Sequence, residues 1–319
     1  NTRKHKLWQF NGGLHLPQHK HESTQTPLTR ATLPKRLYLP LQQHIGEAAE
    51  PIVKVGEHVL KGQQIAHAHG YVSVPVHASS SGTVIEIGNH PVPHPSGMQA
   101  PCIVIETDGE DRWAKLQPLN MDLHDLNPSA LRNRLRETGI VGLGGAGFPS
   151  FIKLNPGART FVDTLILNGA ECEPYITCDD TLMRLRAHEI IQGLEIMRYA
   201  MQAKQCIIGV EDNKPEAYAA LQEAIRDEGN TAKDIQLIQI PTIYPTGGEK
   251  QIIKVLTGKE VPADGLPLDI GIVCHNVGTA AAVYRAIIHG RPLISRIITV
   301  TGKGIQTPCN MEVPFGTPI

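Results

Sequence analysis

The chain has 319 residues, which is enough for two or three domains that each bury a hydrophobic core. Its 30 basic and 31 acidic residues leave a formal net charge of −1, which excludes the basic footprint of a nucleic-acid-binding or membrane-surface protein. No apolar run approaches the length of a transmembrane helix, and the polar residues 1–6 lack the apolar core of a signal peptide. We therefore expect any membrane role to depend on a partner.

Cysteine and histidine give no metal-binding pattern. The 6 cysteines are scattered, without a C-x-x-C pair or another spacing typical of zinc or iron–sulfur ligation, so we expect reduced thiols. The 15 histidines include the close pairs His19/His21 and His67/His69, but neither pair has acidic or cysteine companions at ligand spacing. The sequence therefore predicts no metal site in these residues, and a histidine site is the less favoured alternative.

The first part of the chain is predicted to be a surface arm followed by a small all-β module. Residues 1–34 are polar and are predicted to form an extended N-terminal arm. Residues 35–118 contain short strands with alternating apolar residues, broken by glycine and proline. Three stretches resemble the barrel-sandwich hybrid of lipoyl and biotinyl domains: residues 53–63, 74–78 and 81–84.

A carrier function for this module is the less favoured interpretation. A carrier needs a lysine at the tip of the hairpin between its two halves, where an arm can be attached. The tip here, residues 69–73, reads His-Gly-Tyr-Val-Ser and contains no lysine. We therefore interpret the module as a structural or docking domain.

A glycine-rich loop at residues 141–149 is difficult to explain by packing alone. Its glycines can take positive φ and point successive amide N–H groups inward, so that a phosphate or a flat ring lies against the main chain. A short helix is predicted over residues 149–154, with Lys153 one turn along it. The loop lacks the spacing of the dinucleotide fingerprint and of a Walker loop, so by itself it leaves ligand binding and a plain tight turn open.

Helices and strands alternate over residues 119–290. A helix begins at Pro128 with Asn127 as its N-cap and ends at Gly139. The predicted strands are residues 164–168, 205–210, 235–240 and 269–274, and the predicted helices are residues 179–201, 214–227, 248–256 and 277–288. This alternation predicts an α/β domain with a Rossmann-like, mostly parallel sheet and helices on both faces.

Polar residues follow three of the predicted strands. In a parallel α/β sheet, ligands bind past the carboxyl ends of the strands. The polar residues at these ends are Asn168, Glu171 and Glu173 after the first strand, Tyr244, Gly247 and Glu249 after the third, and Asn276 and Thr279 after the fourth. Helix capping accounts for any one of these turns. Together with the glycine-rich loop, the three turns favour a nucleotide-sized polar site.

These motifs occur in the order and at about the spacing found in the flavoprotein subunit of respiratory complex I. The sequence resembles more closely the C subunit of Rnf electron-transport complexes, the RnfC (RsxC) family. The resemblance is carried by residues 10–13, 41–46, 139–149, 168–177, 179–180 and 211–215. It extends over essentially the full chain.

This resemblance implies an NADH-linked, FMN-dependent oxidoreductase subunit. The family is a peripheral subunit on the cytoplasmic face of the bacterial inner membrane, where its partners are the other Rnf subunits and the complex couples electron transfer between NADH and ferredoxin to ion translocation. Hydride passes between NADH and FMN, so no side chain is implied as the catalytic group. The implied cofactor-binding residues are Gly144, Gly145, Ala146, Gly147, Phe148, Lys153, Asn168, Glu171, Glu173, Tyr244, Gly247, Glu249, Asn276 and Thr279.

The sequence departs from its relatives at several places. Complex I has an Asp, an additional Glu and an Arg where this chain has Ala170, Gly248 and Leu143, which implies weaker binding of FMN and NADH. The family also has two C-x-x-C-x-x-C-x-x-x-C-P runs that bind [4Fe-4S] clusters, and neither run lies within these 319 residues. Residues 291–319 resemble the start of the β-grasp (SLBB-like) domain that precedes the clusters. Because the first residue is not Met and the last strand pattern stops, we expect a trimmed chain.

The main alternative is a non-catalytic scaffold. The A subunit of the sodium-translocating NADH:quinone reductase resembles this family in architecture and has a degraded nucleotide site. The retained glycine-rich loop and the Glu171/Glu173 pair argue against that alternative, whereas Ala170 and Gly248 favour it. Measured binding of FMN and NADH distinguishes the two.

Overall fold

The computed structural model describes residues 5–93, 96–157 and 160–319, so residues 1–4 of the predicted arm lie outside the described part. The chain folds as two compact units, and each unit is assembled from separate segments. The α/β unit consists of Asn1–Leu28, Lys153–Tyr284 and Ile297–Asn310. The β unit consists of Thr29–Ile152, Arg285–Arg296 and Met311–Ile319.

The β unit is built mainly from short antiparallel strands. After α1 (His21–Thr24), which belongs to the α/β unit, the strands up to residue 107 are β1 (Thr29–Arg30), β2 (Arg36–Pro40), β3 (Glu50–Pro51), β4 (His58–Val59), β5 (Gln64–His67), β6 (Val76–His77), β7 (Gly82–Pro91) and β8 (Gln99–Thr107). One sheet has the strand order β2-β8-β7-β4, and a second has the order β3-β5-β6. These pairings confirm the predicted all-β module.

Apolar side chains from both sheets form one buried core in this unit. Along β2, Leu37 and Leu39 are fully buried and alternate with more exposed residues, as expected for a strand with one face on the core. Ile103 and Ile105 of β8 join the same cluster, as does Ile65 from the second sheet. The module is therefore a sandwich of two sheets.

The rest of the chain completes both units, with α2 in the β unit and the parallel sheet in the α/β unit. Its helices and strands are α2 (Pro128–Arg136), α3 (Ser150–Lys153), β9 (Thr164–Gly169), α4 (Cys178–Leu185), α5 (Ala187–Met201), β10 (Gln205–Glu211), α6 (Pro215–Glu228), β11 (Ile235–Ile240), α7 (Glu249–Thr257), β12 (Ile272–Asn276), α8 (Val277–Ile288), β13 (Ser295–Val300) and β14 (Cys309–Pro314). Short 3₁₀ turns lie at Leu123–Asp125 and Pro267–Ile270. As predicted, the Asn127 side chain caps α2 by accepting a hydrogen bond from the Ser129 N–H at 2.8 Å.

The sheet of the α/β unit has the strand order β11-β10-β9-β12, and every pairing in it is parallel. The inner strands β9 and β10 carry buried apolar runs because helices cover the sheet, whereas the edge strand β11 has Gln236 and Gln239 exposed. On one face, Ile166 of β9 and Ile207 of β10 pack with Ile252 and Leu256 of α7 in a buried cluster. These features confirm the predicted Rossmann-like sheet.

The predicted helix over residues 179–201 is two helices instead of one. Arg186 separates α4 from α5 and has φ −135° and ψ 34°, outside the helical range. The apolar stripe runs across this break, so periodicity alone does not reveal it. Within α4, Asp180 and Arg184 form an ion pair at 2.7 Å, and Arg184 reaches Glu216 of α6 at 3.4 Å.

One other predicted element is corrected by the structure. The strand predicted over residues 269–274 begins only at Ile272, because the preceding residues form a 3₁₀ turn in which the Asp269 carboxylate accepts the Leu266 N–H at 2.8 Å. Residues 291–319 contain two strands, β13 and β14, in a sheet of order β1-β14-β13. The assignment of these strands to a β-grasp domain stays a prediction.

Residues 5–28 of the N-terminal arm are an integral part of the α/β unit, whereas residues 29–34 belong to the β unit. The Trp8 N–H donates to the Val255 carbonyl at 3.0 Å, and Leu14 and Tyr244 exchange two main-chain hydrogen bonds of 2.8 and 2.9 Å. The ring of His19 stacks on Tyr175 with 4.5 Å between centroids. Across the part of the chain that the structure describes, no helix combines the length and apolar character needed to span a bilayer.

Candidate functional site

The carboxyl edge of the parallel sheet is the candidate ligand site. β9 lies between β10 and β12, so the chain leaves β9 at the point where the strand order reverses. Ligands of open α/β sheets bind at this position, outside the carboxyl ends of the strands. Asn168 and Asn276, the polar residues at the ends of β9 and β12, are register partners and stand side by side here.

Both asparagine side chains are engaged within the protein. The Asn168 amide donates to the Gly247 carbonyl at 2.8 Å and accepts the Ala170 N–H at 3.0 Å. The Asn276 amide donates to the Asp179 carboxylate at 2.6 Å and accepts the Gly278 N–H at 2.7 Å. The two amides therefore fix the turns around the edge of the sheet, and a direct role in binding a ligand stays a prediction.

Glu171 is buried and caps helix α4. Its side chain accepts the Asp179 N–H at 2.9 Å, the Asp180 N–H at 3.3 Å and the Cys178 thiol at 3.3 Å. Burial, with the neighbouring Asp179 charge, raises the pKa of the Glu171 carboxyl to about 7, against the opposing charges of Lys20 and Lys214. Only 2% of Glu171 is exposed, so its predicted contact with ligand hydroxyls stays a prediction.

The Glu171→Gln variant is expected to flatten the dependence of stability on pH. Because the folded-state pKa of about 7 lies above the ordinary 4.5, the protonated carboxyl contributes stability that is fully present below pH 4.5 and is lost as the pH rises through 7. The loss amounts to about 3 kcal/mol in the wild-type chain. Urea unfolding between pH 4.5 and 8 measures it, with the exposed Glu223→Gln as a control. If the free energy of unfolding changes equally with pH in the wild type and in Glu171→Gln, the raised pKa of Glu171 would be contradicted.

Lys20 of the arm reaches the loop that follows β9, a contact that sequence reasoning missed. Its ammonium donates to the carbonyls of Glu171 at 2.5 Å, Glu173 at 2.8 Å and Ile176 at 2.7 Å. Burial and the nearby Lys214 lower the pKa of Lys20. No signal in the sequence marks it, because its partners are main-chain atoms about 150 residues away.

A buried ion pair lies next to this loop. Lys214 and Glu211 are 1% and 0% exposed, and the Lys214 ammonium contacts the Glu211 carboxylate and, at 3.0 Å, the Asn213 side-chain oxygen. The same carboxylate accepts the Glu171 N–H at 3.4 Å. The sequence motif at residues 211–215 therefore supplies a buried ion pair, which contacts the main chain of the loop after β9 at Glu171.

A second set of predicted residues is open to solvent. The Lys153 ammonium donates to the Glu249 carboxylate at 2.7 Å and to the Cys274 carbonyl at 2.6 Å, and the two side chains are 30% and 42% exposed. Tyr244 is 37% exposed. Glu173 is exposed, and within the described ranges its side chain makes no hydrogen bond or ion pair. These side chains, unlike Glu171, are accessible from solvent, and their predicted contacts with a ligand stay predictions.

Gly247 and Thr279 are packed inside the edge of the sheet. A Cβ at Gly247 would stand 3.1 Å from the Cys172 sulfur and 3.2 Å from the Ala170 carbonyl oxygen, so glycine permits a close approach of two turns. Thr279 is fully buried at the start of α8. Their predicted binding roles remain predictions.

The glycine-rich loop belongs to the β unit and has a closed base and an open tip. At the base, the Gly142 N–H donates to the Phe148 carbonyl at 2.8 Å and the Ser150 N–H to the Ile140 carbonyl at 3.0 Å. The tip, Gly144, Gly145 and Ala146, is exposed. Gly145 has φ +109° with open space where a Cβ would stand, and Gly147 has φ +60°. The loop thus presents bare main chain to solvent, as a ligand platform requires.

Two clusters have side chains of metal-ligating type. Among the residues described, Glu171, Cys178 and Asp179 place ligand atoms within 4.8 Å of one another, but both Glu171 oxygens already accept hydrogen bonds from α4. In the β unit, His67 and His69 both contact Glu50, at 3.1 and 2.8 Å, so the fold supplies an acidic companion that sequence spacing did not show. We interpret the first cluster as a helix cap and the second as surface ion pairing.

The fold and the site together define a class of protein: a chain with a Rossmann-like α/β unit, whose sheet has polar residues at its carboxyl edge, and a barrel-sandwich module. Comparison with known families agrees with both parts. The Nuo51 FMN-binding domain matches residues 135–285, and the RnfC barrel sandwich hybrid domain matches residues 8–110. The chain belongs to the RnfC family, the C subunits of ion-translocating oxidoreductase complexes.

Relatives from several bacteria are similar over nearly the whole chain. The C subunit of the ion-translocating oxidoreductase complex of Pseudomonas aeruginosa is 50% identical over 313 residues, which are 98% of this chain and 40% of that protein. Its Vibrio cholerae counterpart is 49% identical over 98% of this chain and 40% of its own length. The Yersinia pestis counterpart is 48% identical over 100% of this chain and 50% of its own length. The chain therefore spans about half the length, or less, of these curated relatives.

Solved structures share the fold. The crystal structure of an NAD+-reducing [NiFe]-hydrogenase in the H2-reduced state superposes with a TM-score of 0.52 at 22% identity, over 63% of this chain and 40% of that chain. The air-oxidized state of that type of enzyme gives a TM-score of 0.51 at 21% identity.

Proposed function

We propose that this chain is the electron-entry part of an Rnf-type complex, which binds FMN and NADH and accepts hydride from the nucleotide. The observation that carries the proposal is the match of residues 135–285 to an FMN-binding domain. That match includes the glycine-rich loop and the strands whose carboxyl ends carry the polar turns. FMN, when bound, supplies the exchange between a two-electron hydride and single electrons.

The chemistry of the exposed residues fits such a ligand. In the β unit, the bare main chain of the loop tip suits a phosphate or a flat ring. In the α/β unit, the Lys153 ammonium uses two of its three hydrogens within the protein, which leaves one for a phosphate oxygen. Glu173 and Glu249 can accept hydrogen bonds from ribose or ribityl hydroxyls, and Tyr244, which is 37% exposed, offers an aromatic ring and a hydroxyl.

The role in the whole complex is a wider proposal. We place the protein peripherally on the cytoplasmic face of the inner membrane, bound to other Rnf subunits, with electrons passing between NADH and ferredoxin and driving ion translocation. The relatives are named as subunits of ion-translocating complexes, which supports partner subunits and coupling. We expect the [4Fe-4S] clusters in the part of such proteins that this chain does not span.

An FMN titration of the 319-residue chain, followed by anaerobic addition of NADH, tests the proposal. We expect saturable quenching of flavin fluorescence and then bleaching of flavin absorbance. Lys153→Ala should raise the Kd of FMN or NADH about tenfold, because it removes a charge-assisted hydrogen bond. Glu173→Gln should mainly weaken the binding that depends on ligand hydroxyls.

Two exposed residues of the same unit offer matched controls. Lys233→Ala removes one positive charge and Glu223→Gln one negative charge, at exposed positions that are distant in sequence from the residues at the carboxyl edge of the sheet. Both variants should leave the affinities for FMN and NADH unchanged. Absence of FMN and NADH binding by the wild-type chain would overturn the proposal for these residues.

A scaffold is the second candidate function, and one observation favours it. The polar side-chain atoms of Asn168, Glu171 and Asn276 make hydrogen bonds within the protein. The carboxyl edge of the sheet would therefore keep the same geometry in a protein that binds no ligand. In a scaffold, Lys153→Ala and the controls would behave alike because none of them would meet a ligand.

A further inference from the structure

We propose that Lys20 of the N-terminal arm is a positioning residue for the site, which it serves by holding the loop 171–177 in its binding shape. The inference rests on the proposed function, since the loop carries Glu173. All three hydrogens of the Lys20 ammonium are used, on the carbonyls of Glu171, Glu173 and Ile176. The loop is thus folded around a cation that comes from another part of the chain.

The carbonyl oxygens explain why a cation is needed. Three carbonyl dipoles that converge on one point repel one another, and the contacts of Lys20 with the Glu171 and Ile176 carbonyls are partly buried, where a carbonyl without a donor is costly. An ammonium satisfies all three with charge-assisted hydrogen bonds. Removal of the ammonium therefore leaves the loop shape without its central stabilising group.

The loop also contains strained backbone. Tyr175 has φ +73°, a left-handed conformation that a bulky residue rarely adopts. The arm supports this residue as well, because the Tyr175 N–H donates to the Gln18 carbonyl at 2.8 Å and His19 stacks on its ring. Three successive residues of the arm therefore act on the same turn.

The far end of the loop is fastened separately. The hydroxyls of Ser23 and Thr177 are 2.7 Å apart, and the buried Asn310 amide donates to the Thr177 hydroxyl at 2.8 Å. At the near end, Glu171 caps α4. With both ends fixed, loss of the Lys20 contacts should release the middle of the loop, where the exposed Glu173 stands.

The test uses Lys20→Ala in the 319-residue chain with two readouts. The first is the affinity for FMN and for NADH, of which at least one should weaken roughly tenfold to a hundredfold, since small misplacements of a binding group cost that much. The second is hydrogen exchange of the amides in residues 172–178, which should become faster. Lys6→Ala is the matched control, because Lys6 is an exposed lysine of the same arm, and it should change neither readout.

Chemical rescue distinguishes positioning from general damage. Methylammonium can donate three hydrogen bonds in the space left by Lys20→Ala and should restore both slow exchange and affinity. Tetramethylammonium has no N–H donor and should restore neither. If Lys20→Ala does not fold, Lys20→Gln keeps two N–H donors and should give intermediate values of both readouts.

The outcomes separate this inference from the proposed function. Wild-type chain that binds neither FMN nor NADH would overturn the proposed function, and with it the positioning role for that site. Unchanged hydrogen exchange in Lys20→Ala would show that Lys20 does not hold the loop 171–177, whether or not the wild-type chain binds FMN or NADH. Faster hydrogen exchange with unchanged affinity for FMN and NADH would overturn the positioning role. An affinity that is weakened in Lys20→Ala and restored by methylammonium, but not by tetramethylammonium, would support it.

Discussion

Replacement of Lys214 by Met is expected to lower the free energy of unfolding by about 3–5 kcal/mol, because it leaves the fully buried Glu211 carboxylate without its partner. Within the residues described, one oxygen of Glu211 already has no hydrogen-bond partner, so the carboxylate depends on Lys214 and the Glu171 N–H. Urea denaturation followed by circular dichroism measures the change.

A double variant shows whether the unpaired charge is the cause. Glu211→Gln combined with Lys214→Met removes both charges, and its stability should lie well above that of Lys214→Met alone. If the double variant is as unstable as the single one, lost packing of the lysine stem would explain the effect instead. A loss below about 1 kcal/mol for Lys214→Met would contradict a buried ion pair.

Gly193→Ala is expected to destabilise the α/β unit by about 3 kcal/mol or more. Gly193 lies on α5, where a Cβ would stand 1.9 Å from the carbonyl oxygen of Ala280 on α8 and 2.5 Å from its carbon. Main-chain atoms of a buried helix cannot move aside as a side chain can, so the two helices must separate. Thermal unfolding should show the effect as a lower Tm.

Gly304 supplies the control for this substitution. A Cβ there meets no atom within 4 Å, and Gly304→Ala should therefore change stability by less than about 0.5 kcal/mol. Similar Tm values for the two variants would mean that α5 and α8 do not approach as closely as described.

The strands of the α/β sheet were predictable because the inner strands carry buried apolar runs, and because the edge strand Ile235–Ile240 places exposed glutamines between buried isoleucines. The segment Ile235–Ile240 is a strand with the predicted bounds, and Val277–Ile288 is a helix with the predicted bounds. The break at Arg186 was not predictable, because one non-helical residue leaves the apolar stripe on both sides nearly in phase.

The candidate site shows a different limit of sequence patterns. A carboxylate shortly before a helix suits a ligand and a helix N-terminus equally well, and only burial separates Glu171, which caps α4, from the exposed Glu173. Lys20 was not found because it recognises main-chain carbonyls, which every residue has. A lysine that contacts main-chain carbonyls has no partner residue type that a sequence pattern could reveal.

The arm also has a consequence for the order in which the protein can be completed. Lys20 and Glu171 are 151 positions apart, so a ribosome makes the lysine long before the carbonyls that surround it exist. The α/β unit is interrupted by the β unit and closes only when its first and later segments meet. A fragment cut out as one continuous stretch from Lys153 onward would lose the Lys20 ammonium, which donates to three carbonyls of the loop after β9, so we expect such a fragment to fold less stably than the whole chain.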